Sequence, residues 1–461
     1  MNNLLKYCLI HRTLSSCLKS RRLHSANYVI DADNRQLYED IFPNINVNEI
    51  KTLWKCPPQC IYAGFDPTAE SLHIGNLLIL INLLHWQRCG HQVIILLGGA
   101  TGLIGDPSYR KSERVEIEQT VLKENIISIQ NDVQNILKNH DRYFCKNLRN
   151  LIPIKIHNNL EWYNNINIIS FVREIGKYFR MGTMLGRASV QSRLQSESGM
   201  SFTEFSYQLF QAYDWLHLQR TYNCCFQIGG HDQMGNIVSG YDLITKYIRK
   251  KVYGLTLPLV TAEGGKKFGK STGNAVWLST SKSSSFQLYQ YFIRTPDSDV
   301  EKFLQFFTFL PLHHIKSIVE EHLKYPELRR AQKILAEKVT LLVHGDEGLL
   351  GAKRASAILY DNSVESLSRV NANELSQLLE GATVIELFSE HGLSVYDLAM
   401  KAKCFKTEHD AKRIISAGGF YINYQKITNT EEVVVPGIHI LSNNVSLLRV
   451  GKKSYYVVRW L

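Results

Sequence analysis

Residues 62–76 read Tyr-Ala-Gly-Phe-Asp-Pro-Thr-Ala-Glu-Ser-Leu-His-Ile-Gly-Asn and concentrate groups suited to binding an anion. His73 and Asn76 stand three apart, which on a helix puts both on one face of its first turn. Gly75 between them lets a ligand approach the backbone closely. A second cationic group lies far downstream: Lys267 and Lys270 sit between Gly264-Gly265 and Gly273, with Gly269 inside. A glycine-flanked basic loop of this kind can close over a ligand and reopen. A third group is Tyr207, Gln211 and Asp214, which share one helix face at i, i+4 and i+7. A carboxylate on an otherwise apolar face is costly unless it is paired, so this spacing argues for a shared pocket.

Specific elements must position these groups. Cys60 to Ala63 is a β-prone run, Gly64, Asp66 and Pro67 form a turn cluster, and Leu77 to Trp86 is apolar for long enough to be a helix. The order is strand, turn, helix start. A helix start presents unpaired N–H groups and a partial positive charge, which suits phosphate. From about Asn34 to Thr261, short apolar strands alternate with longer helical runs. Val93–Leu97 ends in Gly98-Gly99, Phe226–Ile228 ends in Gly229-Gly230, and Thr256–Val260 is a third candidate strand. Strands buried on both faces and separated by helices predict a parallel α/β sheet, with ligands beyond the carboxyl ends of the strands. Gly99, Gly102 and Gly105 do not match the dinucleotide fingerprint, which argues against an NAD site.

The chain has 461 residues, enough for a sizeable core and about two to four domains. No window approaches the length of a membrane-spanning helix. The nine cysteines are scattered and show no zinc spacing, so they read as reduced structural thiols. The net charge of +11 belongs to the two ends. Residues 1–30 carry Lys6, Arg12, Lys19, Arg21 and Arg22 and no acid, and they are rich in Ser and Leu, the composition of a mitochondrial transit peptide. Residues 400–461 carry ten Lys or Arg against Glu408, Asp410, Glu431 and Glu432, and the rest of the chain is balanced. Residues 115–200 are polar and helical in character. After Thr280 the strand pattern stops, and Phe286–Phe309 and Glu327–Val343 show helical periodicity, the latter ended by Gly345. From about Thr383 the composition changes again. A basic helix, Ala411 to Ala417, stops at Gly418-Gly419 and enters a short strand at Phe420. Lys452 and Lys453 with Tyr455, Tyr456 and Trp460 interleave charge for phosphates with rings that stack on unpaired bases.

The segments His73-Ile74-Gly75-Asn76 and Lys267-Phe268-Gly269-Lys270-Ser271 resemble the paired signatures of class I aminoacyl-tRNA synthetases. Together with Gly229-Gly230-His231-Asp232-Gln233, the long stretch Tyr62 to Gly75 is similar to the tyrosyl-tRNA synthetase family, and the N-terminal leader points to its mitochondrial type. The resemblance runs through most of residues 60–460. It implies an α/β protein: a Rossmann-type parallel-sheet catalytic domain over 31–280, with an inserted dimerisation region at about 115–200. A helical anticodon-binding domain over 281–382 and a small α+β, S4-like RNA-binding domain over 383–461 follow, with 1–30 as the transit peptide. The activity implied is a tyrosine–tRNA ligase. Tyrosine and ATP give tyrosyl-adenylate and pyrophosphate, and tyrosine then passes to the 3′ end of tRNA(Tyr). No tightly bound cofactor is implied, and ATP enters as a substrate with Mg2+. The expected setting is the mitochondrial matrix, with a homodimer and no membrane.

The same resemblance assigns roles to matching positions. Tyr62 and Asp214 would take the phenol hydroxyl. Asp106, Tyr207 and Gln211 would hold the ammonium, and Gln227 and Gln233 would lie near the carboxylate. Asp66 would face ATP or the ammonium, and Gly230 with Asp232 the adenosine ribose. Thr68 and His73 would donate to phosphates beside Gly75, Asn76 would bond the ribose, and Lys267, Lys270 and Ser271 would close over the pyrophosphate. Phe202 would lie at the dimer interface. The family more often has His at position 76, and Met and Ser at 268 and 269. In-line attack at phosphorus needs positioning and charge stabilisation more than proton transfer, which matches these residue types. Three other readings have less support. A tryptophan enzyme would have no use for a phenol-binding pair. A splicing or RNA-binding protein without catalysis would not need the nucleotide residues, and a small nucleotidyltransferase would lack the basic tail.

Overall fold

A computed structural model describes residues 35–258 and 275–461, except 45, 46, 55, 57, 109, 111, 113, 115, 147, 149, 150, 198, 361, 380, 381, 452 and 453. The N-terminal leader lies outside the described residues, as do Lys267, Lys270, Ser271, Lys452 and Lys453. The chain divides into two compact units, the first ending at Gly345 and the second running from Asp346 to Leu461. A long helix, Arg330–Leu359, is broken at Gly345, whose φ of 70° and ψ of −168° are not helical. Glycine meets that geometry without a Cβ clash.

The first unit is built on a six-stranded sheet of β1 (Asp40–Phe42), β2 (Cys60–Phe65), β3 (Gln92–Leu97), β4 (Lys155–Asn158), β5 (Phe226–Gly230) and β6 (Tyr253–Leu257). Their order is β1-β6-β5-β2-β3-β4. All neighbours are parallel except β1, which runs antiparallel along β6 with Asp40 opposite Thr256. The chain therefore steps outward in one direction from β2 and in the other from β5. The switch between these two strands opens a crevice at their carboxyl ends. The middle strands are almost wholly buried, as the continuous apolar runs require of a sheet covered on both faces.

Two strands differ from the sequence expectation. The third candidate strand begins earlier, at Tyr253, and ends at Leu257. Pro258 follows and has no N–H to add to the ladder. β4 lies within the stretch read as helical. It is only four residues long with Ile156 its one apolar residue, and it finds its place through pairing with β3 rather than through its own periodicity. The rest of that stretch is helical, led by Gln119–Phe144.

The helix Phe202–Tyr222 packs along Met234–Tyr247 around Trp215, which is fully buried. The contact depends on Gly240, because a Cβ there would sit 2.6 Å from the Trp215 ring. After Thr280, helices Ser285–Ile293, Val300–Phe307 and Leu312–Lys324 follow. The buried Arg35 donates to the carbonyls of Gln305, Thr308 and Leu310, supplying partners at the carboxyl end of the second of these helices.

In the second unit, β7 (Thr383–Leu387), β8 (Phe420–Ile422), β9 (Gln425–Ile427), β10 (Val445–Val450) and β11 (Ser454–Trp460) form a sheet of order β7-β11-β10-β8-β9. Helix Glu408–Ser416 starts at a Thr407 cap, stops before Gly418 (φ 72°) and leads into β8. One face of the sheet packs on Leu398, Ala399 and Ile415. A second cluster joins Ile358, Leu367 and Leu375 to Val445, Leu447 and Val457. Those helical residues share a core with the strands, so the division observed at 345 does not coincide with the boundary expected at 382. No helix among the described residues is long and apolar enough to cross a membrane.

Overpacking of a tight helix contact costs about 1–3 kcal/mol. Gly240→Ala is therefore expected to lower the thermal unfolding midpoint, and an unchanged midpoint would contradict this packing.

Candidate active site

The crevice at the β2/β5 switch is a cleft of about 770 Å³, large enough for a drug-sized ligand. Every described residue given a tyrosine- or ATP-binding role in the sequence reading lines it. At one end lie Tyr62 on β2 and Asp214 on the helix Phe202–Tyr222. Tyr62 is 1% exposed and its hydroxyl is buried with no protein partner. A buried hydroxyl without a partner is uncommon and costly, so it marks a place for a ligand group. Asp214 is better provided for. Its Oδ2 accepts from Asn159 Nδ2 at 3.0 Å and its Oδ1 from Trp162 Nε1 at 2.9 Å. Burial still pushes its pKa up to about 7, against the pull of these donors. Burial and the neighbouring Asp214 hold the Tyr62 phenol well above its ordinary value.

The middle of the cleft is a ring of hydrogen bonds around two more acids. Asp66 Oδ1 accepts from Thr101 Oγ1 at 2.7 Å, and its Oδ2 accepts from Tyr207 Oη at 2.8 Å. Burial raises the Asp66 pKa. Gly98 makes this arrangement possible, since a Cβ there would lie 2.0 Å from Asp66 Oδ1. Asp106 accepts from Gln233 Nε2 at 2.8 Å and from the Ser108 N–H at 3.0 Å. Gln233 also reaches Asp232 at 3.3 Å. Gln227, on β5, is 3% exposed and its Oε1 has no protein partner. Gln211 lines the cleft one turn from Tyr207.

The other end is the helix start. His73 is the N-cap of Ile74–Arg88. Its Nδ1 accepts from the Gly75 N–H at 3.1 Å, so the proton of the neutral ring is on Nε2. Asn76 Oδ1 accepts from the His73 N–H at 3.1 Å, completing a capping box. That bond uses the amide oxygen and leaves the NH2 as the end that can donate to a ligand. Thr68 and Gly75 line the same wall, and Gly230 and Asp232 face it from the end of β5.

Both flanks of the lysine segment are anchored at this wall. Leu257 and Pro258 line the cleft before it. After it, the Ile74 N–H donates to the Val276 carbonyl at 3.2 Å, and the Leu278 N–H donates to Leu72 at 2.8 Å.

Several participants were missed from sequence. Asn159 follows β4, whose brevity hid it. Trp162 and Asn236 carry no local signal, because they act through distant groups, Trp162 on Asp214 and Asn236 Nδ2 on Gln233 at 3.2 Å and on Asp106 at 3.4 Å. Arg110 and Arg114 also line the cleft, and Arg114 Nε donates to the Asp106 carbonyl at 3.1 Å. Phe202 is apart from the cleft. It is 82% exposed in the first turn of its helix and so takes no part in the core.

The sequence matches the family of class I tRNA synthetases (W and Y) over residues 55–361. It is 53% identical over 445 residues to the mitochondrial tyrosine–tRNA ligase of Drosophila melanogaster, covering 96% of each chain. The chain belongs to the tyrosyl-tRNA synthetase family, class I, mitochondrial type. The human mitochondrial tyrosine–tRNA ligase is 45% identical to this synthetase over 432 residues, 93% of this chain and 90% of the human one. Among solved structures, a C-terminally truncated mitochondrial tyrosyl-tRNA synthetase of Aspergillus nidulans superposes with a TM-score of 0.65 at 32% identity. It covers 74% of this chain and 96% of its own.

The raised Asp214 pKa has a pH consequence in this synthetase. The uncharged carboxyl favours the fold below about pH 4, and this contribution is lost as pH rises toward about 7. Without substrates, the stability of the wild type relative to Asp214→Asn should fall across that window. A pH-independent difference in thermal midpoint would refute the assignment.

Proposed function

We propose a division of labour in the cleft for tyrosine activation and transfer. The chain is a tyrosine–tRNA ligase, with tyrosine, ATP and tRNA as its substrates. The observation that carries the residue roles is the partnerless buried hydroxyl of Tyr62 in the same cleft as Asp214, a carboxylate already fixed by Asn159 and Trp162. A phenol hydroxyl entering there donates to Asp214 and meets Tyr62. Phenylalanine would leave those groups buried and unsatisfied, which costs more than the bond itself is worth. Asp106, Tyr207 and Gln211 hold the ammonium, with Asp66 reinforcing Tyr207. Gln227 and Gln233 orient the carboxylate.

The tyrosine carboxylate attacks the α-phosphorus of ATP in line, and pyrophosphate departs. Negative charge grows on the phosphoryl oxygens. Thr68 and the His73 Nε2–H donate to it, and the helix start adds the partial positive charge of its dipole. Gly230 and Asp232 hold the adenosine ribose with the Asn76 NH2. Lys267, Lys270 and Ser271 close over the pyrophosphate, and the anchored flanks of their segment support this by starting and ending it at the cleft. Mg2+ belongs to the ATP, since this ion is usually held by substrate phosphates with one or two carboxylates. In the second step a terminal tRNA hydroxyl attacks the activated carbonyl and AMP leaves.

The second unit, with its basic helix Glu408–Ser416, supplies RNA contacts as an S4-like domain, and helices beyond 281 meet the anticodon arm. The enzyme works in the mitochondrion, in the matrix, with residues 1–30 as the address. It acts as a homodimer. Supporting this, Phe202, Met181 and the neighbouring Ile168, Ile169 and Val172 are exposed apolar residues in the inserted stretch and at its edge. A group of exposed apolar side chains is normally covered by a partner.

Asp214→Ala tests the reading. Selectivity for tyrosine over phenylalanine in pyrophosphate exchange should drop by about tenfold or more, the value of a hydrogen bond to a charged group. Unchanged selectivity would refute the phenol site. Replacing the exposed Lys412 and Arg413 together by Glu should weaken tRNA charging and spare adenylate formation. Equal loss of both steps would count against the RNA role.

A further inference from the structure

His231 lies between Gly230 and Asp232, which line the cleft, but its own contacts are with the edge of the sheet. Its Nδ1 is 2.9 Å from Asp40 Oδ2 on β1 and 3.5 Å from Glu39 Oε1. The same Asp40 oxygen accepts from Thr256 Oγ1 at 2.8 Å. The Asp40 N–H donates back to that hydroxyl at 3.0 Å, and the Glu39 N–H donates to the Thr256 carbonyl at 2.8 Å. Thr256 precedes Leu257 and Pro258, the last described residues before the lysine segment. One carboxylate oxygen therefore ties together the turn that carries Asp232 and the strand end that feeds the lysine segment. The turn transmits its position further, because Gln233 joins Asp232 to Asp106. β1 itself is three residues long and only half-buried, so its burial gives little reason for it to exist.

We propose that Asp40 is a positioning residue for the nucleotide side of the cleft, latching the His231 turn to the end of β6 so that Gly230 and Asp232 are held ready for the ribose of ATP. This rests on the reading that those two residues contact ATP. Tyr62 and Asp214, at the phenol end, make no recorded hydrogen bond to the latch. Loosening it should therefore change nucleotide binding more than tyrosine binding, which it reaches only through Gln233 and Asp106.

The test is steady-state pyrophosphate exchange with the full chain. Asp40→Ala should raise the KM for ATP about three- to tenfold, the worth of one or two hydrogen bonds, with kcat near wild type and a smaller rise in the KM for tyrosine, because Gln233 and Asp106 lie one step further from the latch. Asp40→Asn keeps an acceptor oxygen and should recover most of the loss. His231→Ala should reproduce the effect, and combining it with Asp40→Ala should add little, as expected for two halves of one contact. His231 is 38% exposed, so this variant serves if Asp40→Ala does not fold. A purely structural role would lower kcat through the active fraction and leave both KM values unchanged, which would overturn the proposal. So would an equal rise in the KM for tyrosine. Asp232→Ala separates the two levels. If it raises the KM for ATP and Asp40→Ala does not, the latch alone is wrong. If Asp232→Ala has no effect, the nucleotide reading fails and the latch fails with it.

Discussion

Asp214 is a carboxylate in the interior of the protein, and much of the catalytic unit is arranged around making that tolerable. An unpaired buried charge is too costly to keep. Here Asn159 and Trp162 each donate to one oxygen. Both donors come from the segment after β4, so the edge strand is needed to bring them in. Trp162 is in turn backed by the His217 ring, stacked at 4.3 Å. The carboxylate still has an elevated pKa near 7, which means these donors only partly replace water. Tyr62 is left unsatisfied at the same end of the cleft. On the proposed reading a substrate phenol supplies the remaining donor, and affinity and selectivity for it have one source, the incomplete solvation of two buried groups.

The helix-start end of the cleft is built by a different device. The helix beginning at Ile74 brings the partial positive charge of its N-terminus, its first N–H groups being taken by the Val276 carbonyl, His73 Nδ1 and the His73 carbonyl, and its capping box decides which atoms of His73 and Asn76 are used in the cap. His73 uses Nδ1 on the cap and keeps the Nε2 proton, while Asn76 uses its oxygen and keeps the NH2. The departure from histidine at position 76 thus retains a donor inside a capping geometry that an amide suits well. Between the two ends, Asp66 and Tyr207 lock together across the β2/β5 switch. Gly98 allows the close approach that this requires. The distance between the Tyr62 end of the cleft and the helix start is set by one strand and its turn, Tyr62 to His73.

Regular and strongly patterned features were legible in the sequence. The apolar runs of β2, β3 and β5 announced a parallel sheet, the glycines after them marked its carboxyl edge, and the i, i+4, i+7 spacing of Tyr207, Gln211 and Asp214 put three groups in one cleft. β4 was not legible, because four residues with a single apolar side chain, Ile156, have no periodicity to read and are held by pairing with β3. The end of β6 shifted for a similarly local reason, the missing N–H of Pro258. The division at 345 was hidden because it depends on which hydrophobic cluster Ile358, Leu367 and Leu375 join.

By itself, the sequence determined which residues have reactive chemistry and which helix and strand ends carry them, since capping, period and turn preference act over a few neighbours. Tertiary structure alone decided their partners. Asn159 and Trp162 lie more than fifty positions from Asp214, Tyr207 lies 141 positions from Asp66, and Asp40 lies 191 positions from His231. Hydrogen bonds between such distant side chains exist only once the sheet has brought its strands into order, and no local pattern records them.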